Sequence, residues 1–318
     1  MSNPVMPENS KTIGVVALGE ALIEFNQIQS DPPTYLQGFG GDTSNAVIAA
    51  ARAGVPTAYL TLLGEDQWAQ RLLQLWQDEG VSVQGVRSLK GQRTGLYFVH
   101  HDDHGHHFSY ARSGSAASQM APDHLQGDWQ ESIARSQWLH VSGISLAISE
   151  SARRTTLAAM DLARKVGTQV SLDTNLRLSL WPLTEAVETL TRAIERCDLL
   201  LPSAEDLTQL TGLQEPQEMI DWCHAQGAKQ VVLKMGAQGA WVSQSGCTSR
   251  VESKPVQAVD ATGAGDCFGG HLLARLVQGD TLEVAAQWAN AAAALSVQGH
   301  GAIAAMPTQQ QVKAFLKA

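Results

Sequence analysis

Residues 260–276 read DATGAGDCFGGHLLARL, a glycine-rich turn running into an amphipathic helical pattern that ends near Gly279. Glycine has no Cβ, so Gly263 and Gly265 allow successive backbone N–H groups to converge on one point at a helix N-terminus. Such a point holds an anion. Phosphoryl transfer needs one, because charge on the transferring group must be stabilised while donor and acceptor oxygens are kept in line. Asp266 stands beside it, and a carboxylate there can accept the proton of an attacking hydroxyl. An ordinary helix cap uses the same residue types, so the turn alone leaves both readings open.

Upstream of this turn, short apolar runs at 13–19, 58–64, 138–143, 169–173, 197–202 and 230–236 predict strands. Helical patterns separate most of them. In residues 66–79, Trp68, Leu72, Leu75 and Trp76 fall on one face and Gly80 stands at the C-terminal stop, so both tryptophans read as core anchors. This alternation predicts a three-layer α/β sandwich with a mainly parallel central sheet and ligands at the strands' carboxyl ends. Two segments break it, 20–39 and 93–112, the second carrying GLYFVHH and HHFSYAR as two strands around a polar turn. They are expected to form a small β-sheet lid over the cleft of a single domain at 13–318, preceded by a flexible tail at 1–12.

With 318 residues and 44% hydrophobic content, the chain can bury a large core. A net charge of −9 disfavours a nucleic-acid partner, which calls for a basic stripe. The longest apolar runs are too short to span a bilayer, and the polar N-terminus has no signal-peptide pattern, so a cytoplasmic location is expected. Cys197, Cys223, Cys247 and Cys267 show no CxxC pairing and read as free thiols. The HHDDHGHH run at 100–107 has metal-ligand residue types but reads as the exposed hairpin turn of the lid, and no metal ligands are assigned. His140 and His271 read as core or boundary histidines. Arg153, Arg154, Lys313 and Lys317 read as solvated helix faces.

A GxxxxGK[ST] loop and the HRD and DFG pair of protein kinases are both missing, which removes two common phosphate-binding designs. DATGAGD at 260–266, with GFGGDTSNAV at 38–47 near the start of the chain, resembles the paired motifs of the PfkB (ribokinase-like) carbohydrate kinases, and the resemblance spans about 13–303. It implies a ribokinase-like fold, ATP as phosphoryl donor and Mg2+ carried mainly by the ATP phosphates. It implies Asp266 as catalytic base, with Gly263, Ala264 and Gly265 lining the anion hole and Gly41, Asp42 and Asn45 holding sugar hydroxyls. Lys234, Gly236 and Gly239 of LKMGAQGA fall beside the nucleotide phosphates, and Asn290 at the adenine pocket. The family's NxxE motif is altered here to SAED, with Ser203 in place of the Asn and Asp206 in place of the Glu.

Within the family, GLYF at 95–98, Tyr110-x-Arg112, SGISLA at 142–147, DTNLR at 173–177 followed by Leu180–Trp181, and VVLKMGAQGA at 231–240 resemble the 2-keto-3-deoxygluconate kinases. By that resemblance Tyr97, Tyr110 and Arg112 reach a sugar acid from the lid, while Asn175 and Arg177 lie between substrate and transferred phosphate. A histidine at position 300, near a substrate contact of some family members, receives no role. The alternatives are another sugar kinase, such as fructokinase or ribokinase, and a non-catalytic sugar-acid sensor. Exposed lid edges predict a homo-oligomer formed through the lid.

Overall fold

The computed structural model describes residues 11–102 and 105–317. Nearly all of the expected tail, at 1–10, lies outside them, as does the tip of the histidine-rich turn. The central sheet runs, from one edge, Cys247–Val251, Ala240–Gln244, Gln230–Lys234, Leu199–Leu201, Gln169–Asp173, Ser136–Ser142, Ile13–Leu18, Thr57–Leu63 and Val81–Ser82. From Gln230–Lys234 to Val81–Ser82 every pairing is parallel, and the two strands at the other edge are antiparallel. All the expected strands form, with ends shifted by one or two residues.

A parallel sheet is covered on both faces, so its strands read as continuous apolar runs. The strand Ile13–Leu18 shows the result: Val15 joins one core with Phe268 and Leu272, while Val16 and Leu18 join another with Met160 and Leu190. Helices Asp42–Arg52, Ala264–Val277 and Leu282–Ser296 cover the first face, and Glu150–Lys165, Leu183–Ile194 and Pro216–Ala225 the second. This is the three-layer α/β sandwich that the alternation predicts. Gly270 allows two of these helices to meet backbone to backbone, since a Cβ there would sit 2.2 Å from the Ala46 carbonyl oxygen. Arg153 departs from the solvated-face expectation. It is half-buried, pairs with Glu185 at 2.5 Å and lies over the Trp181 ring, because the apolar stem and planar head can pack where an ammonium cannot.

The two interrupting segments form a second, four-stranded sheet ordered Pro33–Gly40, Leu22–Ser30, Gly95–Asp102, Gly105–Ala111. Its outer pairs are antiparallel hairpins, and its central pair is parallel, Leu22 opposite Gly95 and Phe25 opposite Phe98. Phe25 stacks on Phe98 and meets Trp68 of helix Gln67–Asp78 edge-on at 5.3 Å, which fastens the root of the sheet to the body. Trp76 is fully buried and donates to the Ser44 hydroxyl at 2.9 Å. Both tryptophans therefore anchor packing, as their spacing predicts.

Candidate active site

The carboxyl ends of the parallel strands deliver Asp173 and Lys234 to one cleft of about 830 Å³, roofed by the small sheet. Helices Asp42–Arg52 and Ala264–Val277 point their N-termini into it, a favourable arrangement for anions. Gly41 caps the first at φ 108°, and a Cβ there would lie 2.4 Å from the Glu20 carbonyl oxygen, so the turn requires glycine. Gly263 caps the second at φ 74° against Ala302. Gly265 is different: its backbone is helical, and its missing side chain leaves the Lys234 ammonium uncovered, 3.4 Å from where a Cβ would stand.

The first N–H groups of a helix have no intrahelical acceptor. At Gly265 and Asp266 they belong to residues lining the cleft, whereas the Ala264 N–H donates to the Ala261 carbonyl at 3.1 Å. Asp266 accepts from Asn45 Nδ2 at 2.8 Å, bridging the two helix starts. Burial, then the neighbouring Asp42 carboxylate, and also Asp173, push its acid up to about 7 against the opposing pull of Asn45 and Lys234. A carboxylate tuned to that value beside an anion hole suits a general base.

A chain of polar contacts ties these groups together. Asp42 accepts from the Thr43 N–H at 2.8 Å and from Asn175 Nδ2 at 2.9 Å. Asn175 holds a positive φ of 29°, and its N–H donates to Asp173 at 3.2 Å. Asp173 in turn takes the Lys234 ammonium at 2.5 Å. Asp173, Asp206 and Asp266 thus share the field of one lysine. Arg177 is exposed at the rim, donating to the Leu176 carbonyl. Ser203 caps helix Ala204–Thr211 by accepting the Asp206 N–H at 3.0 Å. Asp206 accepts from the Thr174 hydroxyl at 2.6 Å, and burial raises its acid from the ordinary aspartate value.

At the far end, beneath the small sheet, Tyr97 and Tyr110 stack at 5.8 Å, opposite each other in register, and the Arg112 guanidinium lies 5.5 Å over the Tyr110 ring. The Tyr97 hydroxyl donates to Glu24, and burial with that carboxylate raises its pKa. Arg112 is not free: it forms a buried ion pair with Glu20.

Three expected site residues lie outside the cleft lining: Ala264, Gly239 and Asn290. The Asn290 amide donates to the carbonyls of Val251 and Glu252, and Gly239 packs against the Val251 carbonyl at a φ of 89°. Gly236 does line the cleft. Together with Glu24 and Arg52, His300 lines a second cavity of about 1070 Å³ that shares Ala261, Thr262 and Ala302 with the first. Among the described residues no group of three or more His, Cys, Asp or Glu side chains converges as a metal site. The metal reading of the run at 100–107 falls partly outside those residues. Cys267 is buried, with its thiol pushed up to about 12, and His140 and His271 are buried with values lowered to about 4. All three are inert core groups.

Two carboxylates of the site carry no expectation from sequence: Glu20 has none at all, and Asp173 none of its own. A signal exists for the first, since the carboxylate in ALGEALI at 17–23 sits in an otherwise apolar run and must find a cation if buried.

The family described as pfkB family carbohydrate kinase matches residues 12–309. A 2-dehydro-3-deoxygluconokinase of Thermoproteus tenax is 32% identical over 320 residues, covering 96% of this chain and 95% of its own. Fructokinase-1 of Oryza sativa subsp. japonica is 34% identical over 313 residues, covering 94% and 96%. The crystal structure of a fructokinase with bound ATP from Xylella fastidiosa superposes with a TM-score of 0.87 at 26% identity, covering 96% of this chain and 98% of that one.

Proposed function

The chain belongs to the pfkB family of carbohydrate kinases, and from that premise we propose that this sugar kinase phosphorylates 2-keto-3-deoxygluconate (2-dehydro-3-deoxygluconate) at its terminal hydroxyl, releasing the 6-phosphate and ADP. The observation that carries this reading is Arg112 with Tyr97 and Tyr110 lining the sugar end of the cleft, because a guanidinium can grip a carboxylate through paired hydrogen bonds. Gly41, Asp42 and Asn45 hold the sugar hydroxyls. Asp266 takes the proton of the terminal hydroxyl as that oxygen attacks the γ-phosphorus, and ADP departs. The first turn after Gly263, with Lys234 and Arg177, stabilises the charge in flight.

ATP lies along Lys234, Gly236, Gly239 and Ser203 at the phosphates, with the helix of Asn290 bordering the adenine pocket. A magnesium ion carried by the nucleotide, held mainly by phosphate oxygens and water, would supply positive charge to offset that on the transferring group. Asp173 and Asp206, carboxylates lining the cleft beside Lys234, are the hard oxygen donors that would hold its hydration shell. The small sheet acts as the lid. Its edge strands and exposed Ile28 and Leu36 support a homodimer formed through it.

Fructokinase is the second reading. It is favoured by the Glu20 partner that already neutralises Arg112 and by fructokinase relatives of equal similarity. ADP release from ATP, measured with 2-keto-3-deoxygluconate, fructose and ribose, separates the readings. A kcat/KM for the sugar acid at least about tenfold above both neutral sugars is expected. A preference for fructose makes the protein a fructokinase, and no ADP with any sugar makes it a sensor.

A further inference from the structure

Glu20 lies between strands Ile13–Leu18 and Leu22–Ser30, 2% exposed, at the junction of body and lid. Its carboxylate is gripped by residues that follow the lid's last strand: the Ser115 hydroxyl donates to Oε1 at 2.5 Å, and Arg112 Nη2 pairs with Oε2. Gly95 leaves the space for this, since a Cβ there would meet Oε1 at 3.0 Å. Glu20 and Arg112 both line the sugar end of the cleft, and Arg112 Nε is buried without a hydrogen-bond partner. The guanidinium that the substrate reading assigns to a carboxylate is therefore held by a carboxylate of the protein itself.

We propose that Glu20 is a specificity-determining residue, an internal counter-ion that occupies Arg112 until an acidic sugar takes over the guanidinium, whereupon Glu20 binds a proton from solvent. The inference rests on the reading that Arg112 receives the sugar's carboxylate. Its logic is charge balance. One guanidinium facing two carboxylates under a lid carries an uncompensated negative charge away from water, a state that proteins relieve by protonation. None of the other groups facing Glu20 offsets the imbalance. Asp42, at the start of helix Asp42–Arg52, adds a like charge; Tyr59 of strand Thr57–Leu63 is a neutral phenol; Ser115 is neutral. Burial already raises the Glu20 acid above the ordinary glutamate value despite Arg112. A protonated Glu20 keeps its bond from Ser115, so the pocket stays satisfied while its charge changes. A neutral sugar requires no such exchange.

If Glu20 were only a structural pin between body and lid, its replacement would weaken both classes of sugar alike. The proposal predicts a split. Across about pH 6 to 9, the ratio of KM for 2-keto-3-deoxygluconate to KM for fructose should rise with pH in the wild type. In Glu20→Gln that ratio should be flat and, at the alkaline end, about tenfold lower, the effect of removing one opposed charge from a shielded site. Ser115→Ala, which removes a hydrogen bond favouring the ionised form, should shift the ratio in the same direction by less. Titration calorimetry of the wild type in buffers of different ionisation enthalpy supplies a readout that needs no variant. Binding of the sugar acid should take up close to one more proton than binding of fructose. Equal proton uptake, or a ratio unmoved by Glu20→Gln, overturns the role of Glu20 while leaving the substrate assignment intact. A wild type that neither binds nor phosphorylates the acid overturns both.

Discussion

The two ends of the cleft are built from different materials. The phosphate end is largely backbone: a turn forced by Gly263, the first N–H groups of a helix, and a lysine uncovered by Gly265. The sugar end is made of side chains that hold one another, Tyr97 on Glu24, Tyr110 under Arg112, Arg112 on Glu20. A backbone site keeps its shape whatever side chains surround it, whereas a paired side-chain site changes its charge with each substitution. One end is therefore suited to a constant reaction, the other to a changeable choice of acceptor.

The sharpest way to break this division is at Asp266, the one side chain on which the phosphate end depends for proton removal. Asp266→Asn should lower kcat on the order of 10² to 10⁴-fold with every sugar, with ATP affinity nearly unchanged by calorimetry. Retention of more than half the activity would remove Asp266 from the base role. Because its acid sits at about 7, the wild-type rate should fall as pH drops through that value and the carboxylate gains a proton.

Arg112→Ala tests the opposite end. KM for the sugar acid should rise at least about tenfold while KM for ATP barely moves. The variant leaves Glu20 buried without its cation, so it should also lose stability, about 3 to 5 kcal/mol for a broken buried pair, visible in denaturant melts. Glu20→Gln in the same chain should restore most of that stability without restoring the KM. Equal loss with acid and neutral sugars would leave Arg112 a structural residue.

Asp173 lies where the two materials meet, a side chain among backbone donors. Asp173→Asn removes a like charge from the surroundings of Asp266, although the larger influences, burial and Asp42, remain. The acidic limb of the kcat profile should move down by about one pH unit, and KM for ATP should rise as Lys234 loses its anchor. An unmoved limb would show that Asp173 only braces Lys234. The smallest expected effect is on the lid. Amide exchange in Leu22–Ser30 and Gly95–Asp102 should slow on sugar addition while the strand Ile13–Leu18 stays constant.

The same difference in materials governs how much is legible in the sequence. Glycine turns and apolar strand runs are local signals, so the parallel sheet, the small sheet and the Asp260–Asp266 turn are all written in the order of the residues. The helix pattern at 66–79 appears as Gln67–Asp78, capped by Asp66, for the same reason. Contacts between distant side chains carry no local signal. Glu20 meets Arg112 and Ser115 across more than ninety positions of chain, so the motif around Arg112 points to a carboxylate ligand without showing the carboxylate already there. Asn290 illustrates the limit of a motif position: the resemblance puts it at the adenine pocket, but its amide is engaged with the Val251 and Glu252 carbonyls.

The close crossing at Gly270 bears on how such an enzyme can change its acceptor. One helix carries Asn45 and the other Asp266, and between them runs the 2.8 Å bond that joins the proposed sugar site to the proposed base. Because the helices meet with no side chain to compress, the reach from acceptor to base behaves like a gauge block, with no adjustment in it. Any added atom at Gly270 would spread the gauge and spoil the in-line approach for every sugar at once. New acceptors can then be fitted only by recutting the cover above, which places the freedom to diversify in the small sheet and leaves the body as the fixed datum.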